Sequence, residues 1–395
     1  MKKTFMTVAV TALVTCLITM TVKDVMYVQS RDGADYKLKN VMDVLDNFLV
    51  YDIDRKAMTD AASKAMLETA GDEYTHYYSS EEFQKFMEEV KNNYVGIGVT
   101  VTPDENVNKV LVVSVTEGAA AEKAGILSGD YIVSVNGTEY PADKMDDLVS
   151  AIRGTDAENP EGETVTLGIE RDGKRLVVPV VRSHIEQDTV TSKVLDNGIG
   201  YLRITQFCIK DAKIENSKDT LEDFIENMES LKSQNIKSLI IDLRNNPGGD
   251  LDMVKGIADY LLPSGTILYT EDKFGERVYY NSDENAVSLP MAVLINGGSA
   301  SASEVLSGAL RDYKVATLVG EKTFGKGVVQ TIIPLYDNSG LVITSSRYFT
   351  PSGECIHEKG IEPHVPVSLN VNKSVSSLTY EEDLQLQKAV EILSK

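Results

Sequence analysis

Three serines and one lysine stand where the sequence could support peptide hydrolysis. The serines alternate with alanines in residues 299–304, which read Ser-Ala-Ser-Ala-Ser-Glu and follow an apolar run. A serine at a strand-to-helix turn exposes its hydroxyl beside the N–H groups of a helix amino terminus, where negative charge is stabilised. A nucleophile and donors for an oxyanion are what acyl transfer requires. Residue types alone do not choose among Ser299, Ser301 and Ser303.

The base that activates such a serine is predicted to be a lysine. The chain has only four histidines, none in an obvious catalytic context, and residues 297–301 do not form the Gly-x-Ser-x-Gly motif of α/β hydrolases. Lys326 lies between Gly325 and Gly327, and such neighbours allow close burial against backbone. A lysine base needs burial, because lowering its pKa from about 10.4 toward 7 costs roughly 4–5 kcal/mol. A solvated surface lysine is the alternative that the residues leave open.

Composition excludes several other classes of function. The net charge of −21 argues against nucleic acid, which requires a clustered basic surface. Three cysteines, one of them in the apolar amino-terminal segment, make neither a disulfide framework nor a zinc site. No metal and no cofactor is therefore expected.

The amino terminus has the pattern of a membrane anchor. Lys2 and Lys3 precede the uncharged residues 4–22, which as a helix would span about 28 Å, just enough to cross a bilayer. Positive residues before the segment predict a single-pass protein of the cell membrane, with the rest of the chain on the extracytoplasmic side. A cleaved signal peptide is the alternative, although no small-x-small site follows the segment.

Residues 24–93 have the spacing of amphipathic helices. Apolar side chains recur at intervals of three and four residues, as in Val41, Val44, Leu45 and Phe48. Such a stripe either packs on the next domain or forms a homodimer with a second copy of the chain, and the pattern does not separate the two.

Residues 94–183 change to the pattern of β-strands. Asn136-Gly137 closes one strand and Asp172-Gly173 joins a hairpin. The order of elements resembles a PDZ domain, which binds a peptide as an added strand and holds its carboxylate in a loop of backbone N–H groups. The resemblance implies that Gly96, Ile97 and Gly98 form this peptide-binding loop. Without that context, the two glycines would indicate a β-bulge.

Residues 184–395 alternate apolar strands with helices, which predicts an α/β core with its site at the strand ends. Buried strands are predicted at 238–243 and 291–296, and a final helix at 378–392. Residues 245–249 (Asn-Asn-Pro-Gly-Gly) follow the first of these strands. They lack the Gly-Lys-Ser/Thr ending of a phosphate-binding loop, so they are predicted to support an oxyanion.

Several motifs together resemble the carboxy-terminal processing proteases, also called tail-specific proteases. The resemblance runs from about Leu38 to the last residue and implies a crotonase-like α/β protease core with an inserted or preceding PDZ domain. The motifs are residues 72–75 (Asp-Glu-Tyr-Thr), 245–249, 299–304, 323–330 (Thr-Phe-Gly-Lys-Gly-x-x-Gln), 350–353 (Thr-Pro-Ser-Gly) and 360–363 (Gly-Ile-Glu-Pro).

The resemblance also implies a role for each site residue. In this family the nucleophile and the lysine stand 25 positions apart, which selects Ser301 as the nucleophile of Lys326. Gln330 would orient the lysine. The oxyanion donors would be the backbone N–H groups of Ala302 and of either Gly248 or Gly249.

The expected protein is thus a serine endopeptidase that cuts protein substrates near their carboxyl termini, with substrate tails captured or sensed by the PDZ domain. The alternative is a non-catalytic PDZ tether or scaffold with an inert α/β domain. The expected organisation is an anchor at 1–23, a helical region at 24–93, the PDZ domain at 94–183 and the Ser–Lys protease domain at 184–395.

Overall fold

The computed structural model describes residues 33–91, 93–116, 118–154, 161–186, 188–210, 217–284, 286–369, 375 and 378–395. Within these ranges no helix has the length and apolar character needed to cross a membrane. The predicted anchor at 4–22 lies outside the described residues. Contacts divide the chain into one unit that ends at Ser79 and a second unit, Ser80–Lys395.

In its described part, residues 33–79, the first unit has two helices and a short strand. Asp54 begins the second helix, since its carboxylate accepts a hydrogen bond from the Ala57 N–H at 3.0 Å. The Tyr77 hydroxyl joins strand to helix by donating to Asp60 at 2.6 Å. The strand lies within the region predicted to be helical, and its three residues are too few for periodicity to reveal. The elements are α1 (Gly33–Phe48), α2 (Arg55–Glu68) and β1 (His76–Tyr78).

The second unit begins with a helix and a small antiparallel sheet of order β3-β4-β5-β7-β8. The predicted turn at Asn136-Gly137 is confirmed, because both residues have positive φ, 50° and 85°. The predicted hairpin is confirmed as β7 and β8. The elements are α3 (Ser80–Val90), β2 (Asn93–Gly96), β3 (Val99–Asp104), β4 (Lys109–Val115), α4 (Ala120–Lys123), β5 (Tyr131–Val135), β6 (Thr138–Glu139), α5 (Met145–Arg153), β7 (Thr164–Arg171), β8 (Lys174–Val181) and β9 (Ser183–Glu186).

The remainder of this unit is an α/β core with two sheets. One has the order β10-β11-β12-β15-β16-β19 and is parallel except for β10, and four antiparallel strands pair as β17-β18-β13-β14. The elements are β10 (Val190–Leu195), β11 (Ile199–Ile204), α6 (Thr220–Ser233), β12 (Ser238–Asp242), α7 (Leu251–Leu261), β13 (Gly265–Asp272), β14 (Arg277–Ser282), β15 (Met291–Ile295), α8 (Ala302–Asp312), β16 (Ala316–Gly320), β17 (Val328–Pro334), β18 (Gly340–Phe349), β19 (Val365–Pro366) and α9 (Leu384–Leu393).

Strands β12 and β15 lie in the middle of the parallel sheet and every residue in them is buried, which explains the apolar runs at 239–241 and 291–295. They are parallel neighbours, so the loops that follow them emerge at one edge of the sheet. The predicted α/β core and its two buried strands are therefore confirmed.

The last helix begins later than predicted. It starts after Asp383, whose carboxylate accepts from the Leu386 N–H at 2.9 Å and also receives Arg244 Nη1 at 2.8 Å. Arg244 is 1% exposed and also pairs with Asp242 at 2.6 Å. Burial disfavours the charge, but these two carboxylates outweigh it and hold the pKa of Arg244 above its ordinary value. This buried pair fixes where the helix begins, and periodicity alone could not locate it.

Candidate active site

The loops after β12 and β15 are joined by hydrogen bonds. Asn246 O accepts from the Ala300 N–H and from the Ser303 hydroxyl, each at 3.0 Å. The Ser299 hydroxyl donates to Leu243 O at 2.8 Å. Two segments that sequence analysis singled out independently, 245–249 and 299–304, therefore form one rigid site at the strand ends.

The three serines have different surroundings. Ser299 and Ser303 are completely buried, and both hydroxyls donate to backbone carbonyls of the neighbouring loop. Ser301 is partly exposed and directly precedes α8. Its φ of 53° and ψ of −113° lie outside the favoured regions for a residue with a side chain. Such strain costs about 1–3 kcal/mol and is concentrated at functional sites.

Glu304 connects the Ser301 segment to the Lys326 segment. Its Oε2 atom accepts from the Ser301 N–H at 2.9 Å and from the Lys326 N–H at 2.8 Å. Its Oε1 atom accepts from the Thr323 hydroxyl at 2.6 Å and from the Gly325 N–H at 2.8 Å. One buried carboxylate thus holds the backbone of both predicted catalytic residues within hydrogen-bonding distance of a single oxygen atom.

The ionisation of Glu304 reflects two opposing effects. The side chain is completely buried, and loss of solvent raises its pKa above the ordinary value. The four hydrogen bonds oppose that effect because they stabilise the carboxylate. All four partners are hydrogen-bond donors, so the site suits a side chain that accepts hydrogen bonds at both of its oxygens, as a carboxylate does.

The backbone of Gly248 lies directly against the nucleophile segment. A Cβ atom at this position would be 2.8 Å from Ser301 Cβ and 2.9 Å from Ala302 N, and the φ of 103° also favours glycine. The Gly248 N–H donates to Asn246 Oδ1 at 2.8 Å, and its carbonyl accepts from Phe207 N at 2.9 Å. The structure therefore brings the predicted oxyanion residues together, with the N–H of Gly248 itself already bonded.

Lys326 is half-buried in a segment packed against backbone, as its flanking glycines predict. A Cβ at Gly327 would lie 2.5 Å from His357 N, so only glycine allows this approach. Gln330 lies on β17, and within the described part of the chain its buried Nε2 atom makes no hydrogen bond. The described residues also contain no cluster of histidine, cysteine and acidic side chains that could hold a metal ion.

The predicted peptide-binding residues border a separate small groove. Gly96, Ile97 and Gly98 are buried and line a cavity of about 50 Å³. Its remaining walls come from β3 and α5. They are Val99, Val101, Val149, Ile152 and Arg153, so the lining is aliphatic with one cation.

Comparisons with known proteins agree with this arrangement. Residues 198–367 match the model of peptidase family S41, and residues 95–181 match that of a PDZ domain. The chain is 31% identical to carboxy-terminal processing protease CtpB of Bacillus subtilis (strain 168) over 363 residues, 90% of this chain and 72% of the relative. The chain belongs to the carboxy-terminal processing proteases of peptidase family S41.

A second relative and a solved structure extend the comparison. Identity to a carboxy-terminal-processing protease of Bartonella bacilliformis (strain ATCC 35685 / KC583 / Herrer 020/F12,63) is 36%, covering 80% of this chain and 70% of the relative. The photosystem II D1 C-terminal processing protease superimposes with a TM-score of 0.52 at 27% identity, covering 93% of this chain and 92% of that one. The prediction of a serine peptidase with a PDZ domain is confirmed, and the non-catalytic tether is not supported.

Two residues at this S41 site were not identified from the sequence. Glu304 was visible only as the last residue of a motif, although Ser-x-x-Glu is the pattern of a helix-capping box. Tyr348, whose hydroxyl donates to Ser301 O at 3.1 Å, gave no signal because nothing in its neighbourhood distinguishes it from a buried strand residue.

Proposed function

We propose that Ser301 is the nucleophile and Lys326 the general base of this peptidase. The observation that carries the proposal is the shared Glu304 oxygen, which holds the backbone of both residues. Neutral Lys326 Nζ would take the Ser301 hydroxyl proton as Oγ bonds to the scissile carbonyl carbon. The C–N bond then breaks, the amine leaves with the proton, and water hydrolyses the acyl-enzyme.

The N–H groups of Ala302 and Gly249 are proposed as the oxyanion donors. Ala302 is the first residue of α8, so its N–H has no acceptor within the helix. The Gly248 carbonyl accepts from Phe207, and a trans peptide directs the following N–H, that of Gly249, away from Phe207. Gly248 is the weaker candidate because its own N–H is bonded to Asn246.

Gln330 is proposed to orient Lys326 through its side-chain carbonyl. The two residues are four positions apart in the sequence, and the amide nitrogen of Gln330 is shielded from solvent although the residue as a whole is half-buried. Gln330→Ala should lower kcat with little effect on KM. Equal kcat in Gln330→Ala and the unmodified enzyme would remove this role.

The groove around residues 96–98 is proposed to capture the carboxyl-terminal tail of a protein substrate. Its aliphatic walls suit an apolar last side chain, and the loop suits a terminal carboxylate. Fluorescence polarisation should show binding of a peptide with a free carboxylate and at least tenfold weaker binding of its amidated form. Equal affinities would contradict carboxylate capture.

The cellular arrangement is proposed from the sequence. Residues 1–23 are proposed as a membrane anchor that leaves 24–93, the PDZ domain at 94–183 and the protease domain at 184–395 on the extracytoplasmic side. Reporter fusions at Lys395 would test this orientation.

A homodimer through α1 is supported by its exposed apolar side chains, and sedimentation of a Val41→Asp variant would test it. These side chains are Leu38, Val41, Val44 and Phe48.

The catalytic assignment is tested by cleavage of an unfolded model protein. Ser301→Ala and Lys326→Ala should both abolish cleavage while far-UV circular dichroism remains unchanged. Lys322→Ala is the matched control, since this exposed lysine of the same segment pairs with Glu362 instead. Residual activity in either catalytic variant above about one per cent would contradict the dyad.

A further inference from the structure

Tyr348 contacts both catalytic segments from a third element of the fold. Its hydroxyl donates to the Ser301 carbonyl at 3.1 Å, and its backbone N–H donates to the Gly327 carbonyl at 3.1 Å. The residue is 1% exposed and lies next to the end of β18. Because one contact is made by the side chain and the other by the backbone, a single rigid residue sets the separation of the two segments.

The hydroxyl contact adds a restraint that α8 itself does not provide. The Ser301 carbonyl already accepts from the N–H groups of Glu304 and Val305, at 2.8 and 3.0 Å, and both donors belong to the helix. Tyr348 is the donor that approaches from the sheet. Strained backbone persists only where its surroundings hold it. Here Glu304 holds the N–H of Ser301, and Tyr348 adds a hydrogen bond from the sheet to the carbonyl that the helix also holds.

Tyr348 is itself firmly placed by its burial and by its strand. The Tyr348 ring is fixed by burial. Its strand, β18, pairs with β17, the strand that follows Lys326, and the neighbouring Arg347 is opposite Val328. Loss of the hydroxyl would leave the Ser301 carbonyl held by the helix alone, so the strained backbone could relax about φ and ψ and turn Oγ away from the base. Misplacement by about 1 Å can reduce a rate by about 10²-fold.

We propose that Tyr348 is a positioning residue for the peptidase reaction: it fixes the strained backbone of Ser301 relative to the residues next to Lys326. This inference rests on the proposed Ser301–Lys326 dyad. Tyr348 does not touch the substrate in this account, so its contribution is to kcat and not to substrate affinity.

The test compares two tyrosine-to-phenylalanine variants of the full-length enzyme. Tyr348→Phe removes only the hydroxyl, and the Ser301 carbonyl keeps its two helical donors, so no buried acceptor is left unpaired. Tyr313→Phe is the matched control, because the Tyr313 hydroxyl also donates to a backbone carbonyl, that of Thr266, at 3.1 Å. Active sites are titrated with a fluorophosphonate so that kcat refers only to competent molecules.

Tyr348→Phe should lower kcat by 10- to 100-fold with KM changed by less than twofold, whereas Tyr313→Phe should retain kcat within twofold. Replacement of Tyr348 with 4-aminophenylalanine, which restores a donor at the same place, should recover kcat to within about threefold. If the phenylalanine variant folds poorly, kcat is compared instead between enzymes with 4-aminophenylalanine and with 4-methylphenylalanine at position 348. The second of these has the same size but no donor.

The inference is overturned if Tyr348→Phe retains kcat within twofold, if both phenylalanine variants lose the same factor, or if the amino analogue is no better than the donor-free one. Failure of the underlying dyad has a different signature. In that case Ser301→Ala would retain activity, whatever the outcome at Tyr348.

Discussion

Glu304 offers a graded test of how the site is held together. In Glu304→Gln one carboxylate oxygen becomes an NH₂ group. If the NH₂ group replaces Oε1, on the side of Thr323, the remaining oxygen still accepts from the N–H groups of Ser301 and Lys326. The main loss is then the acceptor of the Gly325 N–H. One buried unpaired N–H costs about 1–3 kcal/mol.

The opposite orientation of the amide would leave the N–H groups of Ser301 and Lys326 unpaired, at about 2–6 kcal/mol, so the first orientation is expected. Glu304→Gln should therefore lower the free energy of unfolding by about 1–3 kcal/mol and kcat by less than about tenfold. Glu304→Ala removes the acceptor of three N–H groups, the buried one of Gly325 and the partly buried ones of Ser301 and Lys326. It should cost about 3–9 kcal/mol and at least 10²-fold in kcat per titrated site.

The assay is guanidinium unfolding followed by far-UV circular dichroism, since the chain has no tryptophan. The relevant transition is the one that coincides with loss of cleavage, because a chain with several domains need not unfold in one step. Glu222 supplies the control. It occupies the same helix-capping position in α6 but is 44% exposed, so Glu222→Ala should cost only about 1 kcal/mol.

Two results would refute this reasoning about Glu304. Equal loss of kcat in the glutamine and alanine variants would show that the carboxylate charge matters and that its acceptor geometry does not. Unchanged kcat in a folded Glu304→Ala enzyme would show that the shared oxygen does not position the dyad.

Three further predictions follow from the structure. Asp383→Ala leaves Arg244 buried with one carboxylate and should lower the free energy of unfolding by about 3–5 kcal/mol, measured by denaturant titration. The control Glu391→Ala breaks only exposed ion pairs and should leave the free energy of unfolding unchanged. Burial raises the pKa of the Cys208 thiol to about 12, so with the other two cysteines replaced by serine, Ellman's reagent at pH 8 should react only after unfolding. The value of kcat/KM should rise with pH to a plateau, because Lys326 acts as a base only when neutral; a rate independent of pH from 6 to about 10 would contradict this.

Much of the fold could be predicted because its signals are local. The apolar runs that became β12 and β15 are buried on both faces, and Asn136-Gly137 has the residues that a tight hairpin turn demands. The two segments that follow β12 and β15 could likewise be singled out from residue types, because strand-to-helix turns with serines or glycines are distinctive.

Contacts between distant segments could not be predicted in this way. The pairing of Arg244 with Asp383 joins residues 139 positions apart and moves the start of the last helix to Leu384. The four donors around Glu304 come from four residues in two segments of the chain, and no periodicity encodes them. Choosing Ser301 over its neighbours also required the tertiary structure or a family resemblance, since only the fold shows that Ser299 and Ser303 are bonded to carbonyls.

The central claim is that Ser301, activated by Lys326, is the nucleophile, and covalent labelling tests it most directly. The enzyme is treated with a fluorophosphonate, digested, and the modified peptide is sequenced by mass spectrometry. We expect labelling of Ser301 in the wild-type sequence and in Lys322→Ala, and no labelling in Lys326→Ala. Modification of Ser299 or Ser303, or undiminished labelling of Ser301 without Lys326, would contradict it.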